Sequence, residues 1–264
     1  GTNFGNGSDV TNVTLCGFPV ASIDSQSATQ VVVTAGTASI AGIGEVRLQS
    51  VSYGDTYNPA SFEYLREPQA ALTFTPTTPQ AYASTNPLST GGGSGTGAVS
   101  YAVSSGPGSL VGGTNLTVTA GSGAIEVVAT KAQDDLYFAT ASTATVTAVK
   151  ANQAINFPAL ADQETTNQVG LAASSGSSLP VSFAVGSGPA SIAGGTNLSF
   201  SGDGTVSIVA TQLGDANWNA AIPVTNTFLV TKAVASVYLL DLAQTYNGSV
   251  RTVTATTMPS GLTV

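Results

Sequence analysis

The sequence predicts an all-β chain, built as a linear array of antiparallel β-sandwiches. Three observations carry that expectation. Apolar residues alternate with small or polar ones over short runs, which is strand periodicity. Gly-Pro, Gly-Gly-Thr-Asn and Gly-Asp-Gly interrupt the runs as turn signals, at spacings of about 8–15 residues. A block the size of a small sandwich also occurs twice.

The repeat sets the organisation. Val99-Ser-Tyr-Ala-Val-Ser-Ser-Gly-Pro-Gly-Ser-Leu-Val-Gly-Gly-Thr-Asn-Leu116 returns as Val181-Ser-Phe-Ala-Val-Gly-Ser-Gly-Pro-Ala-Ser-Ile-Ala-Gly-Gly-Thr-Asn-Leu198, an offset of 82. The offset slips to 81 between Val128-Ala-Thr130 and Val209-Ala-Thr211, and returns to 82 at Lys150 and Lys232. Upstream, Leu72-Thr-Phe74 parallels Ile155-Asn-Phe157. A third copy starts with Ala233 and Val237, in register with Ala151 and Ile155. Solenoid units are shorter, about 20–50 residues, so each copy is expected to close its own core. The expected domains are residues 1–67, 68–150, 151–232 and the incomplete 233–264.

Each element follows from local pattern. Val99-Ser-Tyr-Ala-Val103, Leu116-Thr-Val118, Ile125-Glu-Val127, Leu198-Ser-Phe200 and Val206-Ser-Ile208 are predicted strands. So are Val13-Thr-Leu15, Val31-Val-Val33, Val46-Arg-Leu48 and Phe62-Glu-Tyr64 in the unrepeated N-terminal part. Around Val46 and Leu48 the charged residues share one face and the apolar ones the other, as in a sheet wetted on one side. Cys16 is expected in a strand, as a small buried hydrophobe. Residues 132–139 are the one place where a single helical turn is conceivable.

Composition excludes several kinds of chemistry. Only 8% of residues are charged, histidine is absent, and the net charge is −8. Three lysines and three arginines give no basic footprint for nucleic acid. Without histidine there is no Ser-His-Asp or Cys-His catalysis, and one cysteine forms no intrachain disulfide. No apolar run reaches the roughly 18 residues of a membrane helix. Thirty-six threonines and 30 serines are left to solvate the surface.

Two family resemblances rest on particular residues. Gly1-Thr-Asn-Phe-Gly5, Val13-Thr-Leu-Cys-Gly17, Gly44-Glu-Val-Arg-Leu48 and Phe62-Glu-Tyr64 resemble an IPT/TIG domain, which implies an immunoglobulin-like fold. That family's opening strand would precede Gly1, so an open sheet edge beside Val13-Thr-Leu15 is expected. A neighbouring chain completing it by strand exchange is one way to cover such an edge. The 82-residue copies resemble bacterial Ig-like repeats of large secreted surface proteins, through Leu179-Pro-Val-Ser-Phe183, Val209-Ala-Thr-Gln212 and Gly214-Asp-Ala-Asn-Trp-Asn-Ala-Ala221. Leu242-Ala-Gln-Thr-Tyr-Asn-Gly-Ser-Val250 with Thr252-Val-Thr-Ala255 resembles the opening of an MBG-type module. Together they imply tandem immunoglobulin-like β-sandwich domains outside a bacterial cell, and no enzyme.

Candidate sites are few, and no catalytic, cofactor-binding or metal-ligating residue is expected. Trp218, with Tyr137 at the equivalent position, reads first as a plug for the sandwich end and second as a sugar-stacking platform. Asp134 and Asp215, also equivalent, read first as turn formers and second as calcium ligands, which would need several converging oxygens. Asp162, Glu164 and Asp203 also lie in loops. Lys150 and Lys232 read as junction residues before isopeptide donors. The run Gly91-Gly-Gly-Ser-Gly-Thr-Gly97 fits no phosphate-binding pattern and reads as an enlarged loop. Sequons occur at Asn6, Asn12, Asn115, Asn197 and Asn247, about as often as chance allows.

The function these readings imply is structural: a stalk or fibre segment giving reach and assembling laterally or end to end. Its partners would be neighbouring copies or adjacent domains of the same protein. Near-direct junctions at Lys150-Ala151 and Lys232-Ala233 suit a semi-rigid rod. The alternative is an adhesin module that binds glycan or protein through loop tips, marked by clustered exposed aromatics and acids.

Overall fold

In the computed structural model, which describes residues 7–258 and 260–263, the described residues form strands, turns and loops with no α-helix. The chain divides into two compact units, Gly1–Lys150 and Ala151–Val264. The Gly1-to-Gly5 motif and the sequon at Asn6 lie outside the described residues.

The first unit opens with β1 (Val10–Leu15), β2 (Phe18–Pro19), β3 (Ser22–Gln26), β4 (Val31–Thr34), β5 (Gly42–Ser50) and β6 (Gly54–Tyr64). One sheet has the order β2-β1-β5-β6; β3 and β4 form a separate hairpin. Val10, Val13 and Leu15 are buried, and Val31, Val33, Val46, Leu48, Phe62 and Tyr64 pack against them. Arg47 and Gln49 are exposed while Val46 and Leu48 are half-buried, so β5 is wetted on one face as its pattern predicts.

Two expectations need correction here. Cys16 is not in a strand. Cys16 and Gly17 are the two residues joining β1 to β2, with φ of 52° and 85°. Positive φ at both positions marks the tight turn whose twist suits a hairpin. The Cys16 thiol is half-buried and donates to the Phe62 carbonyl at 3.3 Å. The edge beside Val13-Thr-Leu15 is not open either. β2 pairs with Thr14 and Leu15, and Val20 N–H donates to the Val13 carbonyl at 3.1 Å. Further along, the Gln26 amide takes the place of a strand: its Oε1 accepts Val10 N–H at 3.0 Å and its Nε2 donates to Val10 O at 2.7 Å. The chain itself therefore holds this edge, which removes it as the place for strand exchange.

The first repeat contains β7 (Leu72–Thr73), β8 (Gln80–Ala81), β9 (Thr85–Pro87), β10 (Gly91–Gly92), β11 (Val99–Ser105), β12 (Gly108–Val111), β13 (Asn115–Val118), β14 (Ser122–Lys131) and β15 (Thr140–Val149). Its sheets are β11-β14-β15-β8 and β12-β13-β9, with β7 paired to β10. The second unit repeats the plan. It contains β16 (Ile155–Asn156), β17 (Gln163–Glu164), β18 (Gln168–Gly170), β19 (Ser174–Ser175), β20 (Ser182–Ser187), β21 (Ala190–Ala193), β22 (Asn197–Phe200), β23 (Gly204–Thr211) and β24 (Val224–Thr231). The sheets are β17-β24-β23-β20 and β18-β22-β21, with β16 paired to β19.

The two cores match position by position. Phe74, Leu88, Leu116, Val127, Ala129 and Ala148 are buried in the first, and Phe157, Leu171, Leu198, Ile208, Ala210 and Val230 in the second. Volume is redistributed at two positions. Val118 and Val146 in the first repeat become Phe200 and Phe228 in the second, whose rings meet edge to face at 5.9 Å. Ile125 shrinks to Val206 in the same core, so part of the added volume is offset. Close packing explains why such exchanges occur in sets.

Gly106 and Gly188, each before a proline, have φ of 89° and 94°. A Cβ at either would run into the carbonyl of Ala124 or Thr205 on the next strand. Both requirements select glycine, and the following prolines accept bonds from Thr119 and Ser201 N–H at 2.9 Å.

Residues 132–139 form an irregular loop and contain no helical turn. The chain closes with a hairpin, β25 (Ser236–Leu240) and β26 (Thr254–Met258), whose apolar residues Val237, Tyr238, Leu239 and Leu240 are exposed.

Candidate functional site at the Asp-x-x-aromatic loops

In each repeat the loop before the last strand folds around an aspartate. Asp134 Oδ1 accepts the N–H groups of Leu136 at 3.0 Å and Tyr137 at 2.9 Å, and Asp134 N–H donates to Tyr137 O at 3.1 Å. Asp215 does the same with Asn217 at 2.7 Å and Trp218 at 2.8 Å, and its own N–H donates to Trp218 O at 3.1 Å. A carboxylate that replaces a backbone acceptor in this way fixes a tight turn.

The turn presents its main chain to the segment that leads into the repeat. Glu67 N–H donates to Leu136 O at 2.8 Å, and Glu67 O accepts Phe138 N–H at 3.0 Å. Ala151 N–H donates to Asn217 O at 2.9 Å, and Ala151 O accepts Asn219 N–H at 2.8 Å. Both are parallel bridges, Glu67 to Tyr137 and Ala151 to Trp218.

Two residues further on, a glutamine secures each incoming segment. Gln69 Nε2 donates to Ala132 O at 3.1 Å, and Gln69 Oε1 accepts Ser94 N–H at 3.1 Å. Gln153 Nε2 donates to Gln212 Oε1 at 2.5 Å and to Asn219 O at 2.8 Å, while Ser177 Oγ donates to Gln153 Oε1. Gln212 is buried and also accepts Gly214 N–H, so its oxygen is satisfied as a buried polar atom requires.

The first repeat adds one feature. Its glycine-rich run packs onto the loop: Thr96 N–H donates to Asp134 Oδ2 at 2.6 Å. A Cβ on Gly95 would strike that carboxylate, and one on Gly97 would strike Ala132 O. The N–H groups of Leu136 first, then Thr96, Tyr137 and Gly97, hold the Asp134 carboxyl below the ordinary aspartate value against the opposing effect of desolvation. In the same unit Arg66 Nε donates to Asp134 O and Ala41 N–H to Asp135 O, at 2.8 and 2.7 Å. The N-terminal sandwich therefore meets the first repeat at this loop.

Of the sequence candidates, Asp134, Tyr137, Asp215 and Trp218 lie at these contacts. Asp134 and Asp215 act as turn acceptors, and a calcium ion at Asp134 would have to displace N–H groups from both of its oxygens. No group of three acidic, cysteine or histidine side chains converges among the described residues. Tyr137 and Trp218 are half-buried beside the incoming segment. Asp162 lies apart, where its Oδ1 accepts Leu229 N–H at 2.8 Å. Glu164, Asp203, Lys150 and Lys232 are exposed. Sequence reasoning missed Glu67, Gln69 and Gln153. The spacing of Gln69 after Glu67 and of Gln153 after Ala151 was the available signal.

Residues 1–64 match the model of the IPT/TIG domain, and residues 235–264 match that of the MBG domain. No curated protein matches the chain. Among solved structures, the chain is similar to extracellular domains 3–5 of Drosophila OTK, with 11% identity, a TM-score of 0.30 and 87% of each chain covered. It is also similar to Drosophila N-cadherin EC1-4, with 12% identity, a TM-score of 0.31, and 80% of this chain and 63% of that one covered. Sidekick-1 immunoglobulin domains 1–5 match with 11% identity and a TM-score of 0.27, covering 87% of this chain and 56% of that one. The chain is all-β, built as successive β-sandwiches, and carries an IPT/TIG match at one end and an MBG match at the other.

Proposed function

We propose that the chain is a structural segment of a large extracellular bacterial surface protein. In this reading the modules are residues 1–67, 68–150, 151–232 and 233–264, and their work is reach and spacing. The observation that carries it is the loop built twice on one plan, with each turn holding the segment that leads into its repeat. Such a loop fixes where the chain enters its own repeat, which suits a spacer. The low charge suits side-by-side packing of such segments into a fibre, sheath or surface layer, since large fields of one sign would oppose it. Electron microscopy of the native material tests this. Regular fibres or surface arrays are the expected result; isolated particles free of the cell would overturn it.

A second reading has one observation in its favour. The tip of the β5–β6 hairpin gathers Tyr53, Asp55 and Tyr57, with both tyrosines more than 60% exposed. Clustered aromatics and an acid at one end of a sandwich fit an adhesin surface for glycan or protein. Binding to an immobilised glycan panel, lost in Tyr53→Ala with Tyr57→Ala, would favour it.

A further inference from the structure

The incoming segment of each repeat does more than touch the Asp-x-x-aromatic loop. It runs beside the last strand of that repeat in the same direction and is fastened at both ends. In the first repeat Glu67 bridges Tyr137 in parallel, and β8 pairs in parallel with the end of β15, Gln80 opposite Ala148 and Ala81 opposite Val149. In the second, Ala151 bridges Trp218, and β17 pairs in parallel with the end of β24, Gln163 opposite Val230 and Glu164 opposite Thr231. All other named strand pairs are antiparallel.

Side chains and flanking main chain lengthen both parallel pairs. Thr78 Oγ1 accepts Thr147 N–H at 2.9 Å, and Asp162 Oδ1 accepts Leu229 N–H at 2.8 Å. Beyond the strands, Tyr82 N–H donates to Val149 O at 2.8 Å and Thr165 N–H to Thr231 O at 2.9 Å. In the second repeat Asn226 Nδ2 also donates to Pro158 O at 2.6 Å.

We infer that each repeat is a clamp for tension applied along the chain. The chain comes in at one end of the parallel pair and leaves at the other. A pull on both ends therefore slides the incoming segment and the last strand past each other. Hydrogen bonds perpendicular to that sliding are loaded together, whereas strands pulled apart from one end lose their bonds one at a time. Resistance to such a pull is a property of the barrier to unfolding and not of equilibrium stability. The purpose of the clamp rests on the stalk reading; the clamp itself belongs to the repeat.

Single-molecule stretching of the full chain by its two ends tests this. Each repeat should open in one step that releases about 28 nm of extended chain. The reference is the same chain with Ser100→Cys and Thr130→Cys in a Cys16→Ser background. These paired positions of β11 and β14 open the sheet from one end. End-to-end pulling should need at least about twofold more force than this geometry, because the bonds share the load. Asp162→Ala should weaken one of the two end-to-end steps, and Asp162→Asn, which keeps an oxygen acceptor, should restore it. Ser191→Ala removes a cross-strand bond to Ser199 outside the clamp and should leave both forces unchanged. Equal forces in the two geometries, or equal weakening by Asp162→Ala and Ser191→Ala, would overturn the clamp. Those outcomes leave fibres in the microscope untouched. Native material without fibres would remove the stalk reading while the force ratio stood.

Discussion

The main chain of Glu67 is bracketed by that of Tyr137: its N–H reaches the carbonyl before the tyrosine at 2.8 Å, and its carbonyl receives the N–H after it at 3.0 Å. The tyrosine is held in place by Asp134. Removing that carboxylate should therefore act on a residue it does not touch. In Asp134→Ala, amide exchange at Glu67 and Phe138 should accelerate together with that at Leu136 and Tyr137, while the β14 amides stay protected. Hydrogen exchange read by NMR or mass spectrometry checks it, and unchanged Glu67 exchange would separate the two.

Acid should loosen the first unit. Hydrogen bonds from Ser50 and Ser52 lower the Asp9 carboxyl, those from Ser22 and Thr34 lower Asp24, and backbone N–H groups lower Asp134. A carboxyl that is more acidic when folded binds fewer protons there than when unfolded. Its contribution is complete above the ordinary value of 3.8 and is lost as pH falls through the lower folded value. Denaturant midpoints should stay level down to about pH 5 and fall below about pH 4. Asp24→Asn should blunt the fall.

Gln26→Ala should strip the edge of β1. Val10 is 3% exposed, so its N–H and carbonyl would be left without a partner away from water. The expected cost is about 1–3 kcal/mol, with faster aggregation because the bared edge can pair with another chain. Chemical denaturation and light scattering measure the two effects separately.

Leu116→Ala and Leu198→Ala are the matched test of the repeat cores, since both side chains are fully buried. Each should cost about 2–5 kcal/mol. Only the second should shift the unfolding seen by tryptophan fluorescence, because Trp218 is the chain's one tryptophan. A Leu116→Ala variant that moved the tryptophan transition equally would show that the repeats unfold together.

Gly188→Ala should destabilise the second repeat by more than about 1 kcal/mol, since φ is positive and the methyl has no room. Gly202, whose φ is not positive and whose nearest neighbour for a Cβ lies 3.5 Å away, is the control: Gly202→Ala should be tolerated.

What the sequence revealed and what it hid divide along physical lines. Strand periodicity exposed the cores, because burial depends on which side chains are apolar: Leu116, Ile125, Leu198 and Ile208 are buried as the alternation predicts. The loop contacts were hidden because main-chain atoms make them. Glu67 and Ala151 play one part with unlike side chains, so only the glutamine two residues further on marks it. Gly91 to Gly97 reads as an enlarged loop, and its need for glycine appears only when Asp134 is placed beside Gly95 and Thr96. Cys16 directly follows the strand pattern of Val13-Thr-Leu15, which hides the turn it begins. Its positive φ comes from the tight return into Phe18, with Gly17 as the second turn residue.

A main-chain grip has a further consequence for how such proteins change over time. The loop asks of the incoming residue only an N–H and a carbonyl, so glutamate and alanine serve equally. The grip on the incoming residue is then indifferent to the side chain that stands there. Substitutions at that one position can accumulate as copies are duplicated, because the bond pattern they must satisfy never changes.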